Sequence, residues 1–219
     1  MTRDSTALTH ALVAYRSALK QHAPQLAAQL RKGLKPEDIE AALREWERTQ
    51  EWSFPLPSEV FVLFAVFNGQ KSLKAALLPN AGPDLPGLAL GSIDLMNQWR
   101  NNAAGMIHLA KGLEWYRSLT LDDTMRREFW NDHWFPFAMG EIVTAQESVQ
   151  VTALLDFAPS ASGRAGQVAL HIERTEQFRV HLERRVIAPS LAAYLEGVVT
   201  DIDTGHTVPD ALKGLRRAE

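Results

Sequence analysis

The chain has 219 residues, of which 46% are hydrophobic and 22% charged, and this composition is ordinary for a globular protein. Its net charge of −3 argues against general nucleic-acid binding, which favours a strongly basic surface. The absence of cysteine excludes disulfides, thiol catalysis and cysteine-based zinc sites. The first ten residues lack the pattern of a signal peptide, and no apolar run approaches the roughly 18 residues that span a bilayer. We therefore expect a cytoplasmic protein without a membrane segment.

Residues 1–50 are predicted to form a helical extension packed on the main domain. The apolar residues of the first helix recur at spacings of three and four, which places them on one face: Leu8, Leu12, Tyr15 and Leu19. The Ser5–Thr6 pair is available to cap this helix. A further helix begins at Pro36, because proline and acids are favoured in a first turn. Its predicted buried stripe consists of Ile39, Leu43 and Trp46.

Two prolines in 51–57 mark the predicted start of the core domain. The apolar stretch 58–67 predicts a helix buried on more than one side, closed by Asn68–Gly69. A weak strand is predicted at 75–78, followed by a loop at 80–87. Ser92 is expected to cap the next helix. Partial helical periodicity continues over 106–119 and 121–130.

The stretch from Trp130 to Gly140 is the most apolar and aromatic part of the chain. Pro136 disfavours a helix there, so Trp134 and Phe137 are predicted to be buried in a strand of the central sheet. A strand follows at 144–155, and 167–172 with 178–182 predict a hairpin. Ser190 caps a last helix, and 206–219 is predicted to be a loose tail. The predicted fold is α+β, with a central, mostly antiparallel sheet flanked by helices.

No catalytic residue, cofactor or metal site is predicted from the residues. The seven histidines are scattered, and only His171 and His181 could meet across the hairpin, which is too few ligands for a usual metal site. Asp156, before Phe-Ala-Pro, is more typical of a turn that accepts backbone N–H groups than of a catalytic acid. The loop containing Ser160, Ser162 and Gly163 lacks the spacing and the lysine of a phosphate-binding loop.

Five segments occur in the order found in a known family: LPSEVFVLFAVFNGQ at 56–70, GLALGSIDLMNQW at 87–99, HWFPFAMG at 133–140, LLDFAPSASGRAGQV at 154–168 and IAPSLAAYLEGVVTDIDTG at 187–205. Residues 51–205 thus resemble the SUKH superfamily, which includes the yeast cell-wall-assembly regulator and many bacterial immunity proteins. The resemblance implies an α+β domain that binds a protein. It leaves residues 1–50 and 206–219 outside the pattern.

The implied function is that of an immunity protein, which neutralises a toxin of nuclease or deaminase type by direct binding. An intracellular regulator or scaffold that binds a resident partner is the alternative, and an enzyme with an unrecognised site is a weaker third hypothesis. A neighbouring gene for a secreted protein with a C-terminal toxin module would favour the first.

The charge pattern supplies the candidate binding surface. Residues 114–147 contain seven acids and three bases, whereas 188–212 contain four acids and no lysine or arginine. Such runs are commonly only a solvated face. The functional hypothesis is a surface complementary to a basic toxin, because opposed potentials speed encounter. The candidate partner-binding residues are Asp122, Asp123, Glu128, Asp132 and Glu141.

Overall fold

The computed structural model describes residues 3–50, 57–110, 119–128, 130–177, 179–210 and 214–217, without the side chains of 3, 4, 45–50 and 103–110. The helices are α1 (Arg3–His22), α2 (Pro24–Ala27), α3 (Pro36–Gln50), α4 (Ser58–Val66), α5 (Ile93–Ala110) and α6 (Leu191–Asp203). The strands are β1 (Ala89–Leu90), β2 (Thr120–Leu121), β3 (Trp134–Val143), β4 (Glu147–Asp156), β5 (Gln167–Glu176), β6 (Arg179–Ala188), β7 (Thr207–Asp210) and β8 (Gly214–Arg217). Within these ranges, no helix is both long and apolar enough to cross a membrane.

Strands β1 to β6 form one sheet in the order β1-β3-β4-β5-β6-β2. Every neighbouring pair in this sheet is antiparallel except β2 with β6, which is parallel. The four long strands β3 to β6 are consecutive in the chain, because antiparallel neighbours need no crossover connection. The predicted α+β class with a mostly antiparallel sheet is confirmed.

Strand β3 contributes to both faces of the sheet. Its register with β4 shifts between Pro136 and Ala138, since proline lacks the N–H that a regular ladder requires. Trp134 and Phe137 are both buried, as the sequence predicts. Phe137 belongs to the large core between the sheet and the helices, on what we call the helix face. Trp134 belongs to a smaller core on the opposite side, the second face.

Helix α1 is part of the core on the helix face. The four residues predicted to line one side of it are each at most 1% exposed: Leu8, Leu12, Tyr15 and Leu19. They share one cluster with the sheet residues Val151 and Leu170. Helix α1 packs against α6 and α4. Ile39 and Leu43 of α3 are also buried, whereas Trp46 lies outside the described side chains.

The predicted serine caps agree with the structure at two of three helices. Ser92 Oγ accepts the backbone N–H of Leu95 at 3.4 Å, and Ser190 Oγ accepts that of Ala193 at 3.2 Å. Both serines therefore satisfy a first-turn donor that has no partner within the helix. The predicted cap at Ser5–Thr6 is wrong, because α1 already begins at Arg3 and Ser5 lies inside it.

The junction between α4 and α5 requires glycine. Helix α4 ends at Val66, and Gly69 follows with a φ of 67°, which is in the left-handed region. A Cβ on Gly69 would lie 2.4 Å from the backbone carbon of Gly91. Asn68 Oδ1 accepts the backbone N–H of Ile93 at 2.9 Å. The predicted Asn-Gly ending of α4 thus also positions the start of α5.

Two secondary-structure predictions around the sheet are wrong. The described residues of the predicted helix 121–130 form the end of β2, turns and irregular backbone instead, because that stretch pairs with β6. The predicted strand at 75–78 contributes only isolated bridges, Ala76 to Gly214 and Leu78 to Leu88. For the predicted helix 106–119, α5 extends to Ala110 and 111–118 lie outside the described residues.

The described residues of the C-terminal section, 206–210 and 214–217, do not form the loose tail that the sequence predicts for 206–219. Strands β7 and β8 pair in an antiparallel hairpin. This hairpin is attached to the main domain at Ala76, whose carbonyl accepts the N–H of Leu215 at 2.9 Å. A Cβ on Gly214 would lie 2.0 Å from that same carbonyl oxygen, so glycine is required for the close approach. The pairing depends on a residue far away in sequence, which local periodicity does not reveal.

Candidate protein-binding surface on the second face of the sheet

The second face of the sheet is covered by residues 120–133, which we call the covering segment; Phe129 within it lies outside the described residues. The apolar core beneath it contains Met125 from the segment with Trp134, Leu154 and Ala169 from the sheet. Trp134 is 0% exposed. The covering segment is therefore fixed to the sheet by burial of large apolar groups.

Asp122 anchors the start of the covering segment. Its Oδ1 accepts the backbone N–H and the hydroxyl of Thr124, at 2.9 Å and 2.6 Å, and its Oδ2 accepts the N–H of Val186 at 3.3 Å. The hydrogen bonds from Thr124 are the main reason why the pKa of Asp122 is lowered from its usual value. The backbone N–H of Asp122 donates to the backbone carbonyl of Arg184 at 2.9 Å. Asp122 thus forms a turn rather than presenting a free carboxylate.

Arg184 is the central polar contact under the segment. It is buried on β6, and its Nε donates to Nδ1 of His171 at 3.0 Å. Its Nη1 donates to the backbone carbonyl of Glu128. Its guanidinium carbon lies 4.6 Å from the centre of the Trp134 ring, a favourable cation–π distance. One side chain therefore joins β5, β6, β3 and the covering segment.

His171 is a neutral acceptor in this arrangement. Burial lowers its pKa to about 3, and the positive charge of Arg184 acts in the same direction. The strand register pairs His171 with Arg184 and His181 with Arg174, so the two histidines are not opposite each other. In the part of the chain that the structure describes, no group of three or more possible metal ligands occurs.

Asp156 is fully enclosed at the end of β4. Its carboxylate accepts the N–H of Ala158 at 3.0 Å, Nε1–H of Trp134 at 3.1 Å and Nε2–H of Gln167 at 3.0 Å. Burial raises its pKa, and these hydrogen bonds oppose the rise. The turn that the sequence predicts for Asp156 is present. The donors Trp134 and Gln167 could not be predicted, because they come from neighbouring strands.

The small-residue loop after Asp156 supports the covering segment from the side. Ser160 Oγ and Ser162 Oγ both donate to the backbone carbonyl of Asp123, at 2.7 Å and 3.0 Å. A Cβ on Gly163 would lie 2.3 Å from the carbonyl oxygen of Thr124. Glycine therefore allows the two backbones to pack closely. The hydroxyls of this loop are directed to the protein's own backbone.

The five candidate acids divide into three groups. Asp122 and Glu128 stabilise the covering segment, since Glu128 Oε2 accepts Nδ2–H of Asn131 at 2.8 Å. Asp123 and Asp132 are exposed on it. Glu141 is exposed on β3, seven residues beyond Trp134. At the usual rise of a strand this is about 23 Å away, so Glu141 does not join the other four.

The exposed charge of the covering segment is mixed rather than purely acidic. Arg126 and Arg127 are exposed beside Asp123 and Asp132. Arg126 Nε donates to the carbonyl of Pro159 at 3.2 Å, which ties it to the adjoining loop. The surface consequently offers both signs of charge in fixed positions.

Asp132 is held through its backbone by a residue that the sequence analysis missed. Its carbonyl accepts a hydrogen bond from Nη2 of Arg100 on α5. Burial lowers the pKa of Arg100 to about 9, and the nearby Asp132 carboxylate opposes that effect. Arg184 was missed as well, although it occupies the next alternate position after Val180 and Leu182 in a strand. An arginine that continues the alternating apolar positions of a strand indicates a buried charge with a specific partner, and this pattern was visible in the sequence.

The chain matches no family model, and no curated protein matches it. Its resemblance to the SUKH superfamily therefore stays a prediction from the motifs.

Proposed function

We propose that this protein is a non-enzymatic binding protein of the cytoplasm that neutralises a cognate toxin module, of nuclease or deaminase type, by direct contact. The SUKH-like motifs between 56 and 205 support the immunity class. The partner is proposed to dock on the covering segment, with Asp123 and Asp132 as recognition residues.

The observation that carries this proposal is the fixation of the covering segment. Hydrogen bonds from Arg184 and Arg100 to its backbone, and from Val186 to Asp122, hold the segment in place, while Asp123 and Asp132 remain exposed on it. Ordering a flexible loop on binding costs free energy, so a surface that is already fixed binds more tightly for the same contacts. Fixed charges also select partners, because like charges placed opposite each other are unfavourable.

The titratable groups beneath the segment favour a structural role over chemistry. Asp156 accepts three hydrogen bonds from protein donors, and His171 is engaged by Arg184. A general acid or base has to come within hydrogen-bond reach of a substrate. These side chains are directed into the protein, which supports binding by the surface above them.

The test is co-expression with a candidate toxin module chosen from the genes beside this one. The protein is expected to restore growth of cells that make the active toxin, and to co-purify with a catalytically inactive form of it. Failure of both rescue and co-purification would contradict the immunity function. Capture of a resident cellular protein instead would favour the regulatory or scaffold function.

A further inference from the structure

A second candidate site is an open cleft beside α6, and none of its lining residues belongs to the covering segment. Residues of α6, β6, β8 and the loop at 79–81 enclose a volume of about 380 Å³, which we call the α6 cleft. Small-molecule sites commonly occupy about 300–1,000 Å³ and are mainly apolar with a few polar groups. Ile187, Ala193 and Val198 supply apolar wall here.

Two guanidinium groups line the α6 cleft. Arg185 Nη2 donates to the carbonyl of Ala81 at 3.1 Å, and its buried Nε forms an ion pair with Glu183 at 3.8 Å. The backbone N–H of Arg217 donates to Asn80 at 3.2 Å. The guanidinium of Arg217 has neither a hydrogen bond nor an ion pair with any residue that the structure describes. Arg217 therefore keeps its side-chain N–H donors for a ligand, whereas Arg185 keeps only those that Ala81 and Glu183 do not use.

The hydroxyl of Tyr194 adds a third donor. Its oxygen is buried and has no hydrogen-bond partner among the described residues, although buried polar atoms normally have one. Burial raises the pKa of Tyr194, and the positive charge of Arg217 partly opposes the rise. The hydroxyl thus stays protonated at neutral pH and is close enough to Arg217 to sense its charge.

Gly197 leaves room in the α6 cleft. It lies inside α6 between Tyr194 and Asp201, and a Cβ placed on it would have no atom within 4 Å. Its φ is not positive, so the backbone does not require glycine. Glycine lowers the stability of a helix interior relative to alanine. Gly197 is exposed, so the missing side chain leaves this wall of the α6 cleft open to solvent.

We propose that the α6 cleft binds the carboxylate of an amino-acid-like molecule through Arg185, Arg217 and the Tyr194 hydroxyl. The planar fork of a guanidinium matches the two oxygens of a carboxylate. Asp201 also lines the cleft and makes no ion pair with a described residue. Its negative charge disfavours a phosphate dianion and can pair with an ammonium group. The carboxylate belongs to a free amino acid or to the C-terminus of a peptide.

The experiment is calorimetric titration of the full chain with L-leucine, N-acetyl-L-leucine and L-leucinamide. At least one of the two carboxylates should bind, and leucinamide should not. Tighter binding of leucine than of its acetyl derivative identifies a free amino acid, since only leucine offers an ammonium to Asp201. The opposite order identifies a chain terminus. Equal binding of leucinamide, or no binding of either carboxylate at millimolar concentration, would overturn the proposal.

Matched variants locate the site. Arg217→Gln removes one charged partner of the carboxylate, and Gly197→Leu fills the space in the cleft. Each variant should weaken binding of the carboxylate by about tenfold or more. Arg216→Gln is the control, because Arg216 lies on the same strand outside the cleft, 3.8 Å from Asp210. Thermal unfolding checks that each variant folds. Equal weakening by Arg216→Gln, or unchanged binding in the two cleft variants, would contradict the assignment.

Discussion

At the scale of single residues, Trp134 combines a large apolar ring with one polar atom, and both are fully buried. The ring contacts the core of the second face, and Nε1–H is bonded to Asp156. Truncation Trp134→Ala should lower the free energy of unfolding by about 3–5 kcal/mol, the range for large buried aromatics. Urea denaturation measures this loss, and a value below about 1 kcal/mol would show that the ring is not part of a packed core.

His171 should make stability depend on pH. An unfolded histidine has a pKa near 6.5, whereas the pKa of folded His171 is about 3. Below pH 6.5 the unfolded chain binds the extra proton, so the stabilisation is complete above pH 6.5 and is lost as the pH falls towards 3. Uptake of one proton by the unfolded chain changes the free energy of unfolding by about 1.4 kcal/mol per pH unit.

The variant His171→Asn isolates that slope, because asparagine keeps an acceptor for Arg184 but does not titrate. Urea unfolding of both proteins at several pH values between 4 and 7 should give a shallower dependence for the variant. The carboxylates contribute equally to both curves, so they cancel in the difference. Two parallel curves would mean that the pKa of His171 is the same in the folded and unfolded chains, so that burial does not lower it.

At the scale of elements, α1 offers a matched pair of adjacent residues. Leu12 is 0% exposed and Val13 is 53% exposed. Leu12→Ala should cost about 2–5 kcal/mol, because it leaves a cavity between α1 and the helix-face core. Val13→Ala should change stability by less than about 0.5 kcal/mol, as surface substitutions usually do. Similar losses for both in chemical denaturation would show that α1 is not docked through this face.

The N-terminus of α6 depends on Ser190. Its hydroxyl is the acceptor for the N–H of Ala193, so Ser190→Ala should lower the unfolding free energy by about 0.5–2 kcal/mol. Ser190→Asp keeps a capping acceptor and should retain most of the stability. If alanine and aspartate variants melt at the same temperature, the cap does not stabilise the helix.

The elements that the sequence predicts are those whose signals are local. The apolar face of α1, the cap at Ser190 and the strand at Trp134 follow from spacing and residue type within a few positions. The wrong predictions concern segments that pair with residues far away in sequence. Leu121 pairs with Arg184 of β6, and Gly214 pairs with Ala76. Periodicity predicts a helix at 121–130, but the Asp122 carboxylate accepts the backbone N–H groups of Thr124 and Val186, and these bonds stabilise a turn.

The candidate surface was predictable only in part. Sequence alone marks Asp123 and Asp132 as acids within an acidic stretch. It does not reveal that Asp122 accepts hydrogen bonds from Thr124, or that Glu141 lies at the far end of β3. Those distinctions arise from the tertiary fold, because they depend on which backbone donors and strands lie nearby.

At the scale of the whole molecule, the two faces of the sheet are covered differently. Among the described residues, helices bury the helix face with a large apolar core, whereas the covering segment lies on the second face through a few apolar groups and several polar contacts. Polar contacts define the position of a backbone more narrowly than apolar contacts, because hydrogen bonds are directional. The covering segment is thereby suited to present charges in a fixed arrangement.

The most direct measurement is the binding kinetics of a toxin module identified by co-expression to a double variant, Asp123→Lys with Asp132→Lys. Asp122 is left intact because it supports the fold. Reversing the two exposed acids should weaken binding by about tenfold or more, chiefly by slowing association. Added salt should slow association of the unmodified protein, since it screens exposed charges.

Glu141→Lys provides the control, because it reverses one exposed acid at the far end of β3. It should bind nearly as well as the unmodified protein and unfold at a similar urea concentration. The double variant should unfold at a lower urea concentration, because Asp132→Lys places a positive charge near the buried Arg100, so its binding is measured where it is still folded. If the folded double variant binds as tightly and as fast as the unmodified protein at both low and high salt, the covering segment does not recognise the partner.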